Sequence, residues 1–257
     1  MNGTRQALLG ATGLFVLSFW TTSAHASPWT REPGRPLSIS KLTASEAEED
    51  GRQFGQTSLE TYFEWGVGGG AMIGGKLGQA WQSIEQDAFS DRLSGISEAE
   101  IFVQKGFARS ERGVASGAVA LAAPTSTTSQ LIADRAFERD AAAEISALAG
   151  YDFSAAFVTA KLGPRLSFGD DADLLKGEVT LGHARDSGTL ILVDLYATQS
   201  LGGAAPSGVD YSLYQIAPSV VLPLFGRVAL QLGARADLAG ENVDLGRGAF
   251  VALWVGR

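Results

Sequence analysis

The chain has 257 residues, 20 basic and 28 acidic side chains for a formal charge of −8, and no cysteine. The acidic balance argues against nucleic-acid binding, and the missing thiols exclude disulfides and thiolate metal sites. Thirty-two glycines scattered along the chain work against long helices, whereas barrel strands use glycine at bends and close contacts.

The first element is an apolar run from Ala7 to Trp20, with Arg5 ahead of it and Ala24-His25-Ala26 behind. A charged start, a short apolar centre and a small-x-small exit describe a secretory signal, so residues 1–26 are read as a cleaved leader. The centre is shorter than the roughly 20 residues a spanning helix needs. Residues 27–35 follow as an N-terminal periplasmic segment, able to fold into an enclosed centre. Residues 36–257 are read as one barrel.

In Thr57–Val67, Leu59, Thr61, Phe63, Trp65 and Val67 share one face, and Ser58, Glu60, Tyr62, Glu64 and Gly66 share the other. A period of two marks a strand. Glutamates against bulky aromatics suit a lumen on one side and lipid on the other. Gly68-Gly69-Gly70 makes a tight reversal, and Ala71–Gln82 returns with Ile73, Leu77 and Trp81 opposite Lys76 and Gln82. In Ser97–Ala108, Ala99, Ile101, Val103 and Phe107 alternate with Glu98, Glu100, Phe102 and Gln104. Lys105 interrupts the apolar face where a long cationic side chain reaches headgroups. The full set of candidate strands is 36–45, 57–67, 71–82, 97–108, 114–123, 141–149, 155–168, 174–184, 189–200, 210–222, 227–236 and 248–256.

Connections alternate in length. Gly68–Gly70, Arg109–Gly113, Gly150–Ser154, Arg185–Gly188 and Pro223–Gly226 are short. Glu46–Gln56, Ser83–Ile96, Pro124–Asp140 and Leu201–Val209 are longer and more polar. Short turns on one rim and long loops on the other predict an all-β, transmembrane, antiparallel up-and-down β-barrel of about 12 strands, with roughly 10–14 compatible with the pattern. Its expected place is the outer membrane of a Gram-negative bacterium. Its expected partners are membrane lipid, lipopolysaccharide, the outer-membrane assembly machinery and a small-molecule solute, with no cofactor.

Several fragments together resemble a known family. They are Pro28-Trp29-Thr30-Arg31-Glu32-x-Gly34, Tyr62-Phe63-Glu64-Trp65-Gly66, Gly74-Gly75-Lys76-Leu77 and Ser94-Gly95-Ile96-Ser97-Glu98-Ala99-Glu100. More loosely, Ala160-Lys161-Leu162-Gly163 and Gly177-Glu178-Val179-Thr180-Leu181-Gly182 extend the likeness over most of the chain. It resembles the proteobacterial outer-membrane barrels labelled as transporters of the MetA pathway of phenol degradation. The resemblance implies a barrel passing small hydrophobic or aromatic solutes, and it carries no residue roles. One departure concerns barrels in general: their last strand commonly ends on an aromatic residue, whereas here Trp254 precedes a final Arg257.

Projecting the alternation inward puts Glu60, Glu64, Glu98 and Glu100 in the lumen with Lys76 among them. Lys161, Arg165, Lys176 and Arg235 follow from later strands, with Glu178 and Asp194 between them. An acidic cluster is thus expected to face a mainly basic one. Such charges either set a transverse field across a pore or pair into a network that fills a closed interior. Neither a catalytic nor a metal site is expected. His183, the one histidine beyond the leader, falls on the outward face near a short turn, and no nucleophile or base accompanies it. Asp170, Asp171 and Asp173, and the run Glu46-Ala47-Glu48-Glu49-Asp50, read as solvated loops before they read as cation sites.

Overall fold

A computed structural model describes residues 27–49, 52–86, 89–123, 140–169, 171–202, 210–243 and 245–257. Residues 1–26, on which the expected leader falls, nearly all of 124–140, most of 201–209, and both Asp50 and Asp170 lie outside the described residues. Twelve strands form: β1 (Pro36–Glu49), β2 (Arg52–Gly68), β3 (Ala71–Gln86), β4 (Phe89–Arg109), β5 (Gly113–Ala122), β6 (Ala142–Asp152), β7 (Ala156–Ser167), β8 (Leu174–Ala184), β9 (Leu190–Ser200), β10 (Ser212–Phe225), β11 (Val228–Glu241) and β12 (Gly246–Val255). Each pairs antiparallel with its sequence neighbours, and β12 pairs with β1 from Ser38–Val255 to Ala47–Gly246. Closure leaves no free sheet edge, which is what a lipid-embedded sheet requires.

The turn chemistry follows from residue type. Gly68, Gly69 and Gly70 all have positive φ (98°, 60° and 72°), a region closed to most side chains, and they reverse the chain between β2 and β3. Leu59, Phe63 and Trp65 point outward and are 41–52% exposed, while Glu64 on the same strand is 1% exposed. The outer face continues as Ile73, Leu77, Ile101, Val103, Leu121, Ile145, Leu162 and Leu181. So large an apolar surface on a closed single barrel is stable only against acyl chains. Lys105 sits on this face and donates to Gly69 O at 2.5 Å, bringing its charge to the turn rim. His183 is exposed on the outer face.

The boundaries differ at the outer rim. Much of the expected loop Glu46–Gln56 is strand, since β1 runs to Glu49 and β2 starts at Arg52 in continuous register. Likewise Ser83–Ile96 belongs almost wholly to β3 and β4, paired through to Gln86–Phe89. These extensions lie beyond the apolar outer belt. Their ladders stay complete while the apolar alternation disappears, so their polarity reads as loop.

The interior is layered. Near the short turns many inward positions are apolar: Leu37, Ile39, Met72, Leu190, Leu192, Val221 and Trp254 are all at most 2% exposed, with the buried polar side chains of Glu64, Gln104, Ser116 and Gln231 among them. Of the eleven charges expected inward, ten line the space above this layer and Glu64 lies within it. Small barrels bring inward side chains into mutual contact, so the turn end packs like a protein core. Trp254 belongs to that core, donating Nε1–H to Gln231 Oε1 at 2.9 Å, so the aromatic near the C-terminus faces inward and Val255 faces out. The chain end is tied to the same rim. Arg227 donates to Gly256 O and Arg257 O, and Arg257 donates to Gly188 O at 2.6 Å.

Candidate functional site: a charged well above an apolar floor

Above the floor lies a cavity of about 340 Å³. Six cations (Lys41, Lys76, Lys161, Arg165, Lys176, Arg235) and six anions (Glu60, Glu98, Glu100, Glu144, Glu178, Asp194) line it, so its wall is charge-balanced. Ten of the eleven sequence-predicted residues are there; Glu64 sits lower, against the N-terminal segment.

The charges interleave. Lys41 on β1 pairs with Glu60 on β2 at 2.9 Å, and Lys76 on β3 pairs with Glu98 on β4. Lys161 on β7 pairs with Glu144 on β6 at 2.6 Å. Arg165 reaches over β5 and β6 to Glu100 Oε2 at 2.8 Å and lies 3.7 Å from Glu144. This reach is possible because the inward positions of β5 are Ser116, Ala118, Ala120 and Ala122, too short to obstruct it. Cations stand among the acidic strands and anions among the basic ones, so the wall carries local dipoles in place of one transverse field. Pairing answers the desolvation each ion would otherwise suffer, and the remaining exposure of these pairs opens to the cavity.

The sequence reading overlooked Lys41 and Glu144. Both lie on strands whose alanine and serine content blurs the alternation, yet Lys41 takes the inward parity of Leu37 and Ile39. Also overlooked was Tyr62, which stacks on Phe102 (centroids 5.7 Å apart, 15° between planes) in the cavity wall.

Residues 27–35 form a strap inside the short-turn mouth. Arg31 Nε donates to Glu64 Oε2 at 2.9 Å, and Tyr62 OH donates to Glu64 Oε1 at 2.6 Å. Gln104 Nε2 donates to Ser27 O at 2.6 Å and Ser116 Oγ at 3.0 Å. Gly34 N–H donates to Gly66 O at 3.0 Å. Two glycines make the room: a Cβ at Gly66 would collide with the Arg31 and Glu32 carbonyls, and one at Gly150 would lie 2.6 Å from the Trp29 ring. The strap thus crosses from β2 toward β6 beneath the floor.

No group of three or more His, Cys, Asp or Glu side chains able to hold a metal occurs among the described residues. Asp140 and Asp171 instead accept each other's backbone N–H at 2.9 Å, and Asp173 accepts from Ser167 N, so these acids close a turn.

No protein-family model matches the chain. No curated protein matches it either. Among solved structures it is similar to the COG4313 outer membrane channel from Pseudomonas putida F1, with TM-score 0.67 and 14% identity, covering 89% of this chain and 97% of that one. It is also similar to the translocator domain of the autotransporter NalP from Neisseria meningitidis (TM-score 0.56, 11% identity, 88% and 90% covered). The beta domain of the Bordetella autotransporter BrkA gives TM-score 0.56 at 13% identity, with 88% and 100% covered. The fold is that of Gram-negative outer-membrane β-barrels. With its apolar outer belt, the chain is an outer-membrane barrel.

Proposed function

We propose that the protein is a passive, non-enzymatic channel for small solutes, drawn here with its inner end closed. The observation that carries this reading is a charged well stacked on an apolar floor and a strap held by only a few polar contacts. Aqueous solute enters from the outer side, and passage requires the strap to leave and the floor to wet, a form of hydrophobic gating. The family resemblance implies hydrophobic or aromatic solutes, and the Tyr62–Phe102 stack offers such a solute one flat surface. Twelve charges around the same space make a dipolar solute the better fit. Lipid, lipopolysaccharide and the assembly machinery are the partners such a barrel requires.

A second reading is a non-conducting barrel with a structural or surface role, favoured by the core-like packing of Leu37, Met72, Leu192 and Trp254. Planar-bilayer conductance separates the two. Discrete current steps in the purified wild type, rising in a variant with a displaced strap, support the channel. Silence in both supports the plugged barrel.

A further inference from the structure

We propose that the β9–β11 wall of the well seats a small zwitterion, its ammonium on Asp194 and its carboxylate on Arg235. This rests on the channel reading and names the solute class. Asp194 on β9 pairs in register with Ala217 on β10, and β10 lies between β9 and β11. The pairing Ile216–Ala236 places Arg235 on β11 beside that same Ala217. An anion and a cation therefore flank one small inward residue, two strand spacings or about 10 Å apart at the backbone.

Neither charge is used up by the protein. Asp194 is 4% exposed and accepts Thr180 Oγ1–H at 2.6 Å through Oδ1. Arg235 has Asp237 as its paired carboxylate, but only at 4.0 Å, because Asp237 already accepts Gln215 Nε2 at 2.6 Å and Gly246 N at 2.8 Å. The guanidinium side chain stays 39% exposed toward the cavity. Most other charges in the wall are spent on close partners, whereas these two line the cavity on either side of Ala217. The backbones are about 10 Å apart and both side chains line the cavity, so a small molecule with a carboxylate and an ammonium two or three carbons apart can reach one group with each end through a hydrogen bond of about 2.8 Å. A lone cation would gain from Asp194 and lose to Arg235, and a lone anion the reverse. Only a molecule carrying both charges satisfies both ends.

The test uses the full-length protein folded in detergent, titrated calorimetrically with β-alanine, propionamide, propionate and propylammonium, with planar-bilayer conductance measured in parallel. The expected result is selective binding of β-alanine, weakened about tenfold (about 1.4 kcal/mol) in both Asp194→Asn and Arg235→Gln. Heat-modifiable gel migration establishes that each variant is folded. Equal binding of all four probes, or β-alanine binding unchanged in both variants, overturns the seat. Loss in only one variant makes it a single-ion site and overturns the zwitterion assignment. A wild type that binds β-alanine without carrying current keeps the seat and ends the channel reading; current without binding does the reverse. Absence of both ends both.

Discussion

Glu64→Gln probes the strap. Glu64 is buried, and its carboxylate accepts from Arg31, from the Tyr62 hydroxyl and from the Ser27 backbone. The amide oxygen can still accept the Tyr62 hydroxyl, so the main loss is the charge-assisted bond with Arg31. Such a bond contributes about 1.5–3 kcal/mol net. Arg31 Nη2 is already buried without a hydrogen-bond partner among the described residues, so the guanidinium has no local substitute. At an RT of about 0.59 kcal/mol, that loss shifts the ratio of seated to released strap roughly tenfold to 150-fold. The assay is open probability in a planar bilayer, alongside limited proteolysis of residues 27–35 in folded protein. Both should rise, while the heat-modifiable mobility of the barrel stays as in wild type. Arg31→Gln should act alike, and the double variant should add little to either single one, since both remove the same bond. Open probability and cleavage unchanged from wild type in a folded Glu64→Gln protein would refute the reasoning.

Three further outcomes are expected. Ile101→Arg, in the middle of the apolar belt, should cost about 2–4 kcal/mol, and Trp81→Arg, nearer the outer edge of the belt, about 0–1 kcal/mol, in reversible urea unfolding in lipid; equal costs would contradict the depth assigned to the belt. Arg165→Ala leaves Glu100 without its close cation, while Glu144 keeps Lys161, and should destabilise the barrel by about 3–5 kcal/mol by the same unfolding measurement, whereas Arg165→Met with Glu100→Gln should recover part of that loss. Trp254→Phe removes the donor to Gln231 Oε1 and should cost about 1–3 kcal/mol, with a smaller loss speaking against a dry floor.

The architecture was legible because the apolar alternation in the membrane is strict. Leu59, Phe63 and Trp65 on β2 and Ile101 and Val103 on β4 have only lipid to face, so residue type reports side directly. Above the membrane that constraint vanishes, which is why Glu46–Glu49 and Ser90–Gly95 read as loop although they are strand. Inside, polarity depends on height as well as on parity. Leu190 and Leu192 point inward as Asp194 does, but a two-residue period has no term for depth. Lys41 and Glu144 were hidden for a related reason: alanine is accepted on either face, so strands rich in it show no alternation to count. The strap contacts join residues far apart in sequence, and nothing in the local pattern around Glu64 announces that Arg31 will reach it.

The uneven strand lengths have a consequence for how a molecule arrives. β4 has 21 residues and its neighbour β5 has 10, and the two part company at Glu100–Ala122. Beyond that point β4 continues for another 11 residues, roughly 36 Å along the strand. The paired β1–β4 wall therefore stands as a parapet over one flank of the barrel. Its foot is the Lys76–Glu98 pair of the cavity wall.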